Sequence, residues 1–264
     1  MQTQELPTIP ASHDRQVRAL REKKYRDELS LCIVEGVKGV RAAIESDWNV
    51  TSLLINREQY SELPDALRQV PVEKVYAVTS DQMERLSSLS TPPGILAIVE
   101  QQIYSLDEVL ERRQSILYCA GLADPGNLGT CMRTAEWFGV KAILCSEGTA
   151  DFFNPKVVQA SMGSLFHLLL SQDTSPLSTL TKLRRAGYVT VVTTPHAQAG
   201  SLPSGSPFCL IVGSESHGVP TDLQAACEYQ YTIPRIGDVE SLNAAVATGI
   251  ALYDLSRSTL PPKS

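Results

Sequence analysis

The chain of 264 residues is 43% hydrophobic and 20% charged, with a formal charge of −6. That composition is globular, and the length allows two domains, or one large one, around a real core. The acidic balance excludes a protein that coats nucleic acid by bulk charge, although a local basic patch can operate on an acidic chain.

Six cysteines, Cys32, Cys119, Cys131, Cys145, Cys209 and Cys227, are scattered, most of them in apolar runs such as L-C-I-V, with no C-x-x-C pair. They read as buried free thiols in a reducing compartment, not as disulfides or zinc ligands, and no metal site is expected. The N-terminus has no apolar signal core, and no run approaches the roughly 20 apolar residues of a membrane span. The expectation is a soluble, cytoplasmic protein.

Residues 1–12, with Pro7 and Pro10 among polar neighbours, read as a flexible arm. The chain then turns basic through Arg15, Arg18, Arg21, Lys23, Lys24 and Arg26, opposed only by Asp14 and Glu22. Two readings fit this segment, a solvated helix face and a phosphate-contacting surface. A strand L-C-I-V-E-G follows, then a helix over 37–46, a strand S-L-L-I, a helix over 62–69 and a strand over 74–78. A helix over 81–89, the break Thr91-Pro92-Pro93-Gly94 and a strand I-L-A-I-V-E complete a small α/β domain. Residues 101–105 form the boundary, with a helix over 107–113 beyond it.

Downstream, apolar strands recur as I-L-Y-C-A-G, A-I-L-C, L-F-H-L-L-L, V-T-V-V-T-T and C-L-I-V-G, with helical segments between most of them. The alternation predicts a mostly parallel sheet covered on both faces. Ligands of such sheets bind beyond the carboxyl ends of the strands, so the polar stretches there are the places to look for chemistry.

Three such stretches stand out. In A-G-L-A-D-P-G-N-L-G-T-C-M-R-T-A-E-W-F-G, Asp124-Pro125-Gly126 makes a tight turn. Asn127 caps or lies beside the helix that follows, and Gly139 ends that helix. Arg133 inside it is either an ordinary surface arginine or a functional one, and the glycine spacing is not that of a dinucleotide fingerprint. In L-I-V-G-S-E-S-H-G-V-P, Gly213 and Gly218 let the backbone approach a ligand, and Glu215 between them can accept hydrogen bonds; a plain polar turn is the alternative. His217 reads as structural. In residues 233–257 an extended segment ends at Ile233-Pro234, Ser241 stands as helix N-cap beside Asn243, and Ala245, Val246, Gly249, Ile250 and Tyr253 form one buried stripe. All three stretches follow strand ends and can converge on one crevice.

In that order, N-x-G-x-x-x-R-T-A from Asn127, G-S-E-x-x-G from Gly213 and I-P-x-x-G-x-x-x-S-L-N from Ile233 resemble the three motifs of the SpoU (TrmH) family of RNA ribose methyltransferases, within the SPOUT superfamily. N-P-K-V-V-Q-A-S-M-G-S-L-F from Asn154 resembles another family stretch. K-K-Y-R-D-E-L-S-L-C-I-V-E-G and P-P-G-I-L-A-I-V are similar to the substrate-binding domain commonly fused ahead. Departures are Arg235 where methionine is frequent, Gln159 where arginine is common, and Ala244-Ala245 in place of Val-Ser.

The resemblance implies a flexible arm (1–12), an RNA-binding α/β domain (13–103) and a methyltransferase domain (104–264) whose mostly parallel sheet carries a trefoil knot. It implies S-adenosylmethionine held in a bent form by Gly213, Gly218, Ile233 and Leu242, and methyl transfer to a ribose 2′-hydroxyl. Arg133 would be presented across a homodimer to bind phosphate and stabilise the developing alkoxide, with Asn127, Glu215, Ser241 and Asn243 as its polar companions. The RNA, ribosomal or transfer with the former preferred, would meet Arg18, Arg21 and Lys24. The competing class is a catalytically silent RNA-binding homologue, and a methyltransferase of small molecules or proteins is a second enzyme reading.

Overall fold

The computed structural model describes residues 2–67, 75–195, 207–214, 216–238 and 241–257. By its packing the chain divides into two units, Met1–Gln102 with Asp151–Phe166, and Ile103–Ala150 with His167–Ser264.

The first unit starts with α1 (Ala11–Ala19), α2 (Lys23–Leu29) and β1 (Leu31–Glu35), then α3 (Val37–Glu45) and β2 (Val50–Asn56). β3 (Val75–Val78), α4 (Ser80–Leu86) and β4 (Ile95–Glu100) follow. The apolar runs of β1 and β4 pair antiparallel at the edge of a sheet ordered β1-β4-β2-β3, whose β2 and β3 are parallel. One face buries Val17 and Leu20 of α1 and its flank together with Met83 and Leu86 of α4 against Ile33, Leu54 and Ile98. α4 begins with a capping box, Thr79 with Gln82, which satisfies two otherwise orphaned amides.

Two expectations change here. The helix over 62–69 is, within the described residues, one 3-10 turn, Asp65–Leu67, pinned by buried Leu63 and Leu67. The N-terminal arm is laid down as an edge, not loose. The Pro7 carbonyl accepts from Ala77 N at 2.9 Å, Thr3 is buried with its hydroxyl on the Tyr60 carbonyl at 2.6 Å, and Ile9 enters the core. Main-chain pairing with β3 fixes the segment, and composition cannot register that.

The second unit runs through α5 (Leu106–Glu111), β5 (Ile116–Ala120), α6 (Pro125–Trp137) and β6 (Ala142–Ser146). The chain then gives α7 (Pro155–Ser161) to the first unit and returns through β7 (Leu169–Asp173), α8 (Pro176–Arg185), β8 (Val189–Thr193) and β9 (Phe208–Gly213). α9 (Thr221–Ala226), β10 (Tyr229–Tyr231) and α10 (Ala244–Arg257) complete it. The sheet order is β10-β8-β9-β5-β6-β7, and every pairing in it is parallel. Ile116, Tyr118, Leu144 and Ile211 pack one face against α5, α8 and α9. On the other side α10 lies on α6, with Gly249 close enough that an added Cβ would stand 3.6 Å from Thr134 Cγ2.

The apolar run L-F-H-L-L-L is not one strand. Ser164–His167 is a 3-10 turn following Met162 and Gly163, both at positive φ, and pairing begins at Leu169. Phe166 belongs to the first unit, where Trp48 packs edge-on to it at 5.2 Å and to Phe153 at 6.1 Å. A short apolar run cannot by itself distinguish a strand from a buried turn.

The same unit holds Arg26, nearly fully buried. Its guanidinium bonds Asp151 at 2.6 Å and the Leu20 and Arg21 carbonyls at 2.9 and 2.8 Å. Burial, with Asp151 nearby, pushes the Cys32 thiol up to about 12. No disulfide joins any of the six cysteines, and no helix among the described residues is long and apolar enough to cross a membrane.

Candidate active site

The D-P-G turn is a helix start. Asp124 is the N-cap of α6, its carboxylate accepting from Asn127 N at 2.7 Å, and Pro125 occupies the first turn, where its missing amide hydrogen costs nothing. Asn127 therefore lies beside the opening of the helix without capping it. Its Oδ1 accepts from Asn243 Nδ2 at 3.0 Å. The Asn243 carbonyl oxygen of the side chain accepts in turn from Ala245 N at 2.9 Å and Val246 N at 3.3 Å. Asn243, not Ser241, is thus the cap of α10. Both residues have cap chemistry, and the helix starts one residue after the second of them, leaving Ser241 and Leu242 exposed ahead of it.

The stripe expected to be buried on α10 is turned outward. Val246 and Tyr253 are 52% and 49% exposed, and Gly249 and Ile250 are half-buried. Of that stripe only Ala245 is buried, and the inner face adds Thr248, Ala251, Leu252 and Leu255. Thr248 tolerates burial because its hydroxyl donates to the Ala244 carbonyl at 2.7 Å. On α6, Arg133 is exposed, one turn before Trp137, which is 84% exposed. Phe138, just after α6, meets Tyr253 of α10 ring to ring at 6.2 Å. One outer surface of the α6–α10 pair is therefore apolar, with Arg133 on the helix that supplies half of it.

The second stretch is shaped by main chain. β9 runs into a turn in which Ser214 and Gly218 exchange both amide bonds, at 3.2 and 2.9 Å. A Cβ on Gly213 would lie 2.1 Å from Gly218 C and 2.2 Å from Val219 N, so no side chain fits there. Gly218 has φ +67, which favours glycine. His217 is exposed and bonds its neighbour Ser216 at 2.8 Å. Glu215 lies outside the described residues.

The third stretch leaves β10 at Tyr231, whose hydroxyl donates to Asp254 of α10 at 2.6 Å while its carbonyl accepts from Thr194 N at 2.9 Å. Burial and then the Asp254 carboxylate raise the Tyr231 phenol well above its ordinary value. Ile233 is half-buried, and Arg235, Ile236, Ser241 and Leu242 are exposed.

The structure joins Asn127 to Asn243 and Gly213 to Gly218, and leaves Arg133 facing outward. Sequence reasoning missed Asp124 as the cap, although Asp before Pro at a helix start is its ordinary signal. It also missed the Tyr231–Asp254 bond, for which no spacing gives a hint. On the basic segment, Arg18 pairs with Asp14 at 2.6 Å, Arg21 donates to the Ser87 and Glu84 carbonyls, and Lys24 lies over the Tyr25 ring at 5.6 Å.

The residues present fit S-adenosylmethionine. The bare backbone at Gly213 and the exposed Leu242 and half-buried Ile233 suit a ligand held by main-chain groups and apolar contact.

Comparison with known proteins agrees. Residues 114–253 match the SpoU rRNA Methylase family and residues 14–97 the MRM3-like substrate binding domain. The chain is 31% identical over 238 residues to the 23S rRNA (guanosine(2553)-2′-O)-methyltransferase RlmP of Bacillus subtilis (strain 168), covering 89% of this chain and 92% of that protein. It is 29% identical over 239 residues to the 23S rRNA (uridine(2479)-2′-O)-methyltransferase of Streptomyces viridochromogenes, covering 86% and 83%. Among solved structures, the SpoU methyltransferase AviRb from Streptomyces viridochromogenes in complex with AdoMet superposes with TM-score 0.83 at 29% identity, over 95% of this chain and 98% of that one. The AdoMet-bound rRNA methyltransferase from Sinorhizobium meliloti does so with TM-score 0.83 at 26% identity, over 97% and 98%. With a family model matching more than half of its length and a relative above 30% identity along nearly all of it, this chain belongs to the SpoU rRNA methylase family.

Proposed function

We propose that this protein transfers the methyl group of S-adenosylmethionine to a ribose 2′-hydroxyl of ribosomal RNA, acting as a homodimer in the cytoplasm. The observation that carries the reading is the Asn127–Asn243 bond, which ties together two of the three motif stretches across 116 residues of sequence. Residues 104–264 are the catalytic part and residues 13–103 the RNA-binding part, with Arg18, Arg21 and Lys24 as candidate phosphate contacts. Support for dimerisation is the apolar outer surface of α6 and α10, around Trp137, Val246 and Tyr253. Cysteines without disulfides fit a reducing compartment. A trefoil knot is supported by the passage of the chain from edge strand β10 back to α10 against α6 and β9.

Bound S-adenosylmethionine supplies a methyl group on a sulfonium that leaves as a neutral thioether. The backbone of Gly213, Gly218, Ile233 and Leu242 holds and orients it. The chain's remaining task is to align the ribose hydroxyl and to stabilise negative charge as its oxygen becomes a nucleophile. Arg133, with a guanidinium pKa above about 12, is a poor base on its own and a good bidentate partner for phosphate and developing alkoxide. It performs this role across the dimer, while Asn243 and Asn127 fix the start of α10, and Ser241 and Glu215 complete the polar set.

The test is methyl transfer to ribosomal RNA from cells lacking the gene, with the modified nucleotide mapped by mass spectrometry. Arg133→Lys keeps the charge and loses the planar fork, and turnover should fall about 100-fold, the scale of one lost electrostatic stabiliser. Near-normal turnover in Arg133→Lys would remove the bidentate role. Absence of any methyl acceptor among RNAs would remove the reading itself.

A further inference from the structure

Beyond the carboxyl ends of β5, β6, β7 and β9, the second unit contains an open cavity of about 450 Å3, bordered by Gly218 of the proposed cofactor turn and otherwise outside the three motif roles. It opens on the sheet face covered by α8 and α9. Its backbone floor is Gly121, at φ +71, where an added Cβ would meet nothing within 4 Å. That glycine is held in place by its N–H, which donates to Ser146 Oγ and Thr149 Oγ1, each at 3.1 Å. The wall formed by the start of α8 is fixed from below. Tyr118 OH donates to one Asp173 oxygen at 2.8 Å, and Ser175 N donates to the other at 2.8 Å.

The polar groups on the wall are left available. Ser175 is the N-cap of α8 yet makes no side-chain capping bond. The Glu147 carboxylate and the Ser178 hydroxyl stand exposed on it. Asp222 uses one oxygen on Leu223 N at 2.8 Å. Leu177, Pro176 and Pro220 supply apolar surface beside them.

The chemistry of this lining selects its ligand. Two carboxylates, with no lysine or arginine among the described lining residues, repel a phosphate. Apolar surface from Leu177, Pro176 and Pro220 beside acceptor groups suits a nucleobase, packed on a face and read along its N–H edge. A carboxylate accepts well from an exocyclic amino group, and uracil has none. The cavity is of the size that pockets for small ligands occupy, roughly 300–1,000 Å3. Ser214, His217 and Gly218 line it from the turn whose Gly213 and Gly218 are assigned to the cofactor, so one short turn borders both.

We propose that this cavity receives an unstacked base of the substrate RNA carrying an exocyclic amino group, with Glu147 as its principal acceptor. The proposal rests on the RNA methyltransferase reading. Free guanosine, cytidine and uridine serve as probes in saturation-transfer NMR with the full-length dimer. Guanosine and cytidine should bind more tightly than uridine. Glu147→Gln should weaken guanosine about tenfold, the scale of one good base-edge contact. Ser178→Trp, which fills the cavity from an exposed helix position, should abolish nucleoside binding and lower kcat/KM for ribosomal RNA while S-adenosylmethionine affinity, measured by calorimetry, is unchanged. Nucleoside binding that is absent in the wild type, that survives Ser178→Trp, or that favours uridine overturns the proposal, as does an unaltered kcat/KM in Ser178→Trp. If the wild type methylates no RNA, the functional reading fails instead, and the nucleoside titrations still decide the cavity.

Discussion

The Gly213–Gly218 turn and the Asn127–Asn243 pair hold two parts of the proposed site by opposite means. In the turn, main chain meets main chain, and the contact at Gly213 is so close that a Cβ would stand 2.1 Å from a backbone carbon. In the pair, one amide side chain bridges a helix start and a second amide, with 3.0 Å between them and on an exposed surface. The first is steric and admits one residue type. The second is a hydrogen bond between exposed groups, worth about 1 kcal/mol net, and it should fail by degrees.

Gly213→Ala gives the largest expected effect. Gly213 is not at positive φ, so the obstacle is collision and not backbone strain, and the turn must open to admit the methyl group. Affinity for S-adenosylmethionine should fall by about 100-fold or more, equivalent to about 2.8 kcal/mol. Gly218→Ala is the comparison within the same turn. Its φ of +67 makes alanine strained, but its Cβ would meet nothing within 4 Å, so a cost of about 1 to 2 kcal/mol in stability is expected. Calorimetry and thermal melts on both variants check the order, and wild-type cofactor affinity in Gly213→Ala would break the comparison.

The same contrast separates what was legible in the sequence from what was not. Gly213 and Gly218 were readable because a glycine requirement leaves a residue type behind. The alternation of strands and helices gave the parallel sheet for the same reason, since β5, β6 and β9 are buried on both faces and read as apolar runs. The α10 cap was ambiguous because S-L-N-A contains two residues of cap chemistry, and only the position of the first helical turn decides between them. The buried face of α10 was misread because Thr248 and Ser256 look polar, and their hydroxyls are satisfied inside the helix, on Ala244 O and Tyr253 O. The arm at residues 2–9 and the run from Leu165 were misread because each is placed by non-local partners, β3 in one case and Trp48 in the other. Tyr231 and Asp254 are 23 residues apart and meet only because α10 returns to β10.

The Asn pair yields the intermediate effect. Asn243→Ala removes both the α10 cap and the bond to Asn127, for about 1 to 2 kcal/mol of stability and about a tenfold loss of kcat, whereas Asn127→Ala removes the bond and leaves the cap in place. If the two act through one contact, the double variant should lose less than the sum, with a coupling of about 0.5 to 1 kcal/mol. Strict additivity would mean that Asn127 acts on substrate and not through Asn243, and the positioning role would pass to Ser241 and Leu242.

Tyr231→Phe gives the smallest effect. It deletes one hydroxyl donated to Asp254 at 2.6 Å without changing the shape of the side chain, and Asp254 is half-buried and can recruit water, so about 1 kcal/mol is expected. The pH dependence reports the burial of this phenol together with its contact. The folded state raises the phenol above its usual 10.0, so the native protein holds that proton more tightly than the unfolded chain does. The contribution is therefore complete below pH 10 and is lost as pH rises beyond it. Wild type and Tyr231→Phe should differ by a constant amount in denaturant titrations from pH 7 to pH 9 and converge above pH 10. A wild-type advantage that grows with alkalinity would mean that the folded state does not hold the phenol protonated against Asp254. In that case the Tyr231–Asp254 bond could not be what anchors the β10–α10 connection, and the burden of holding Ile233 and Leu242 would rest on the Asn243 cap alone.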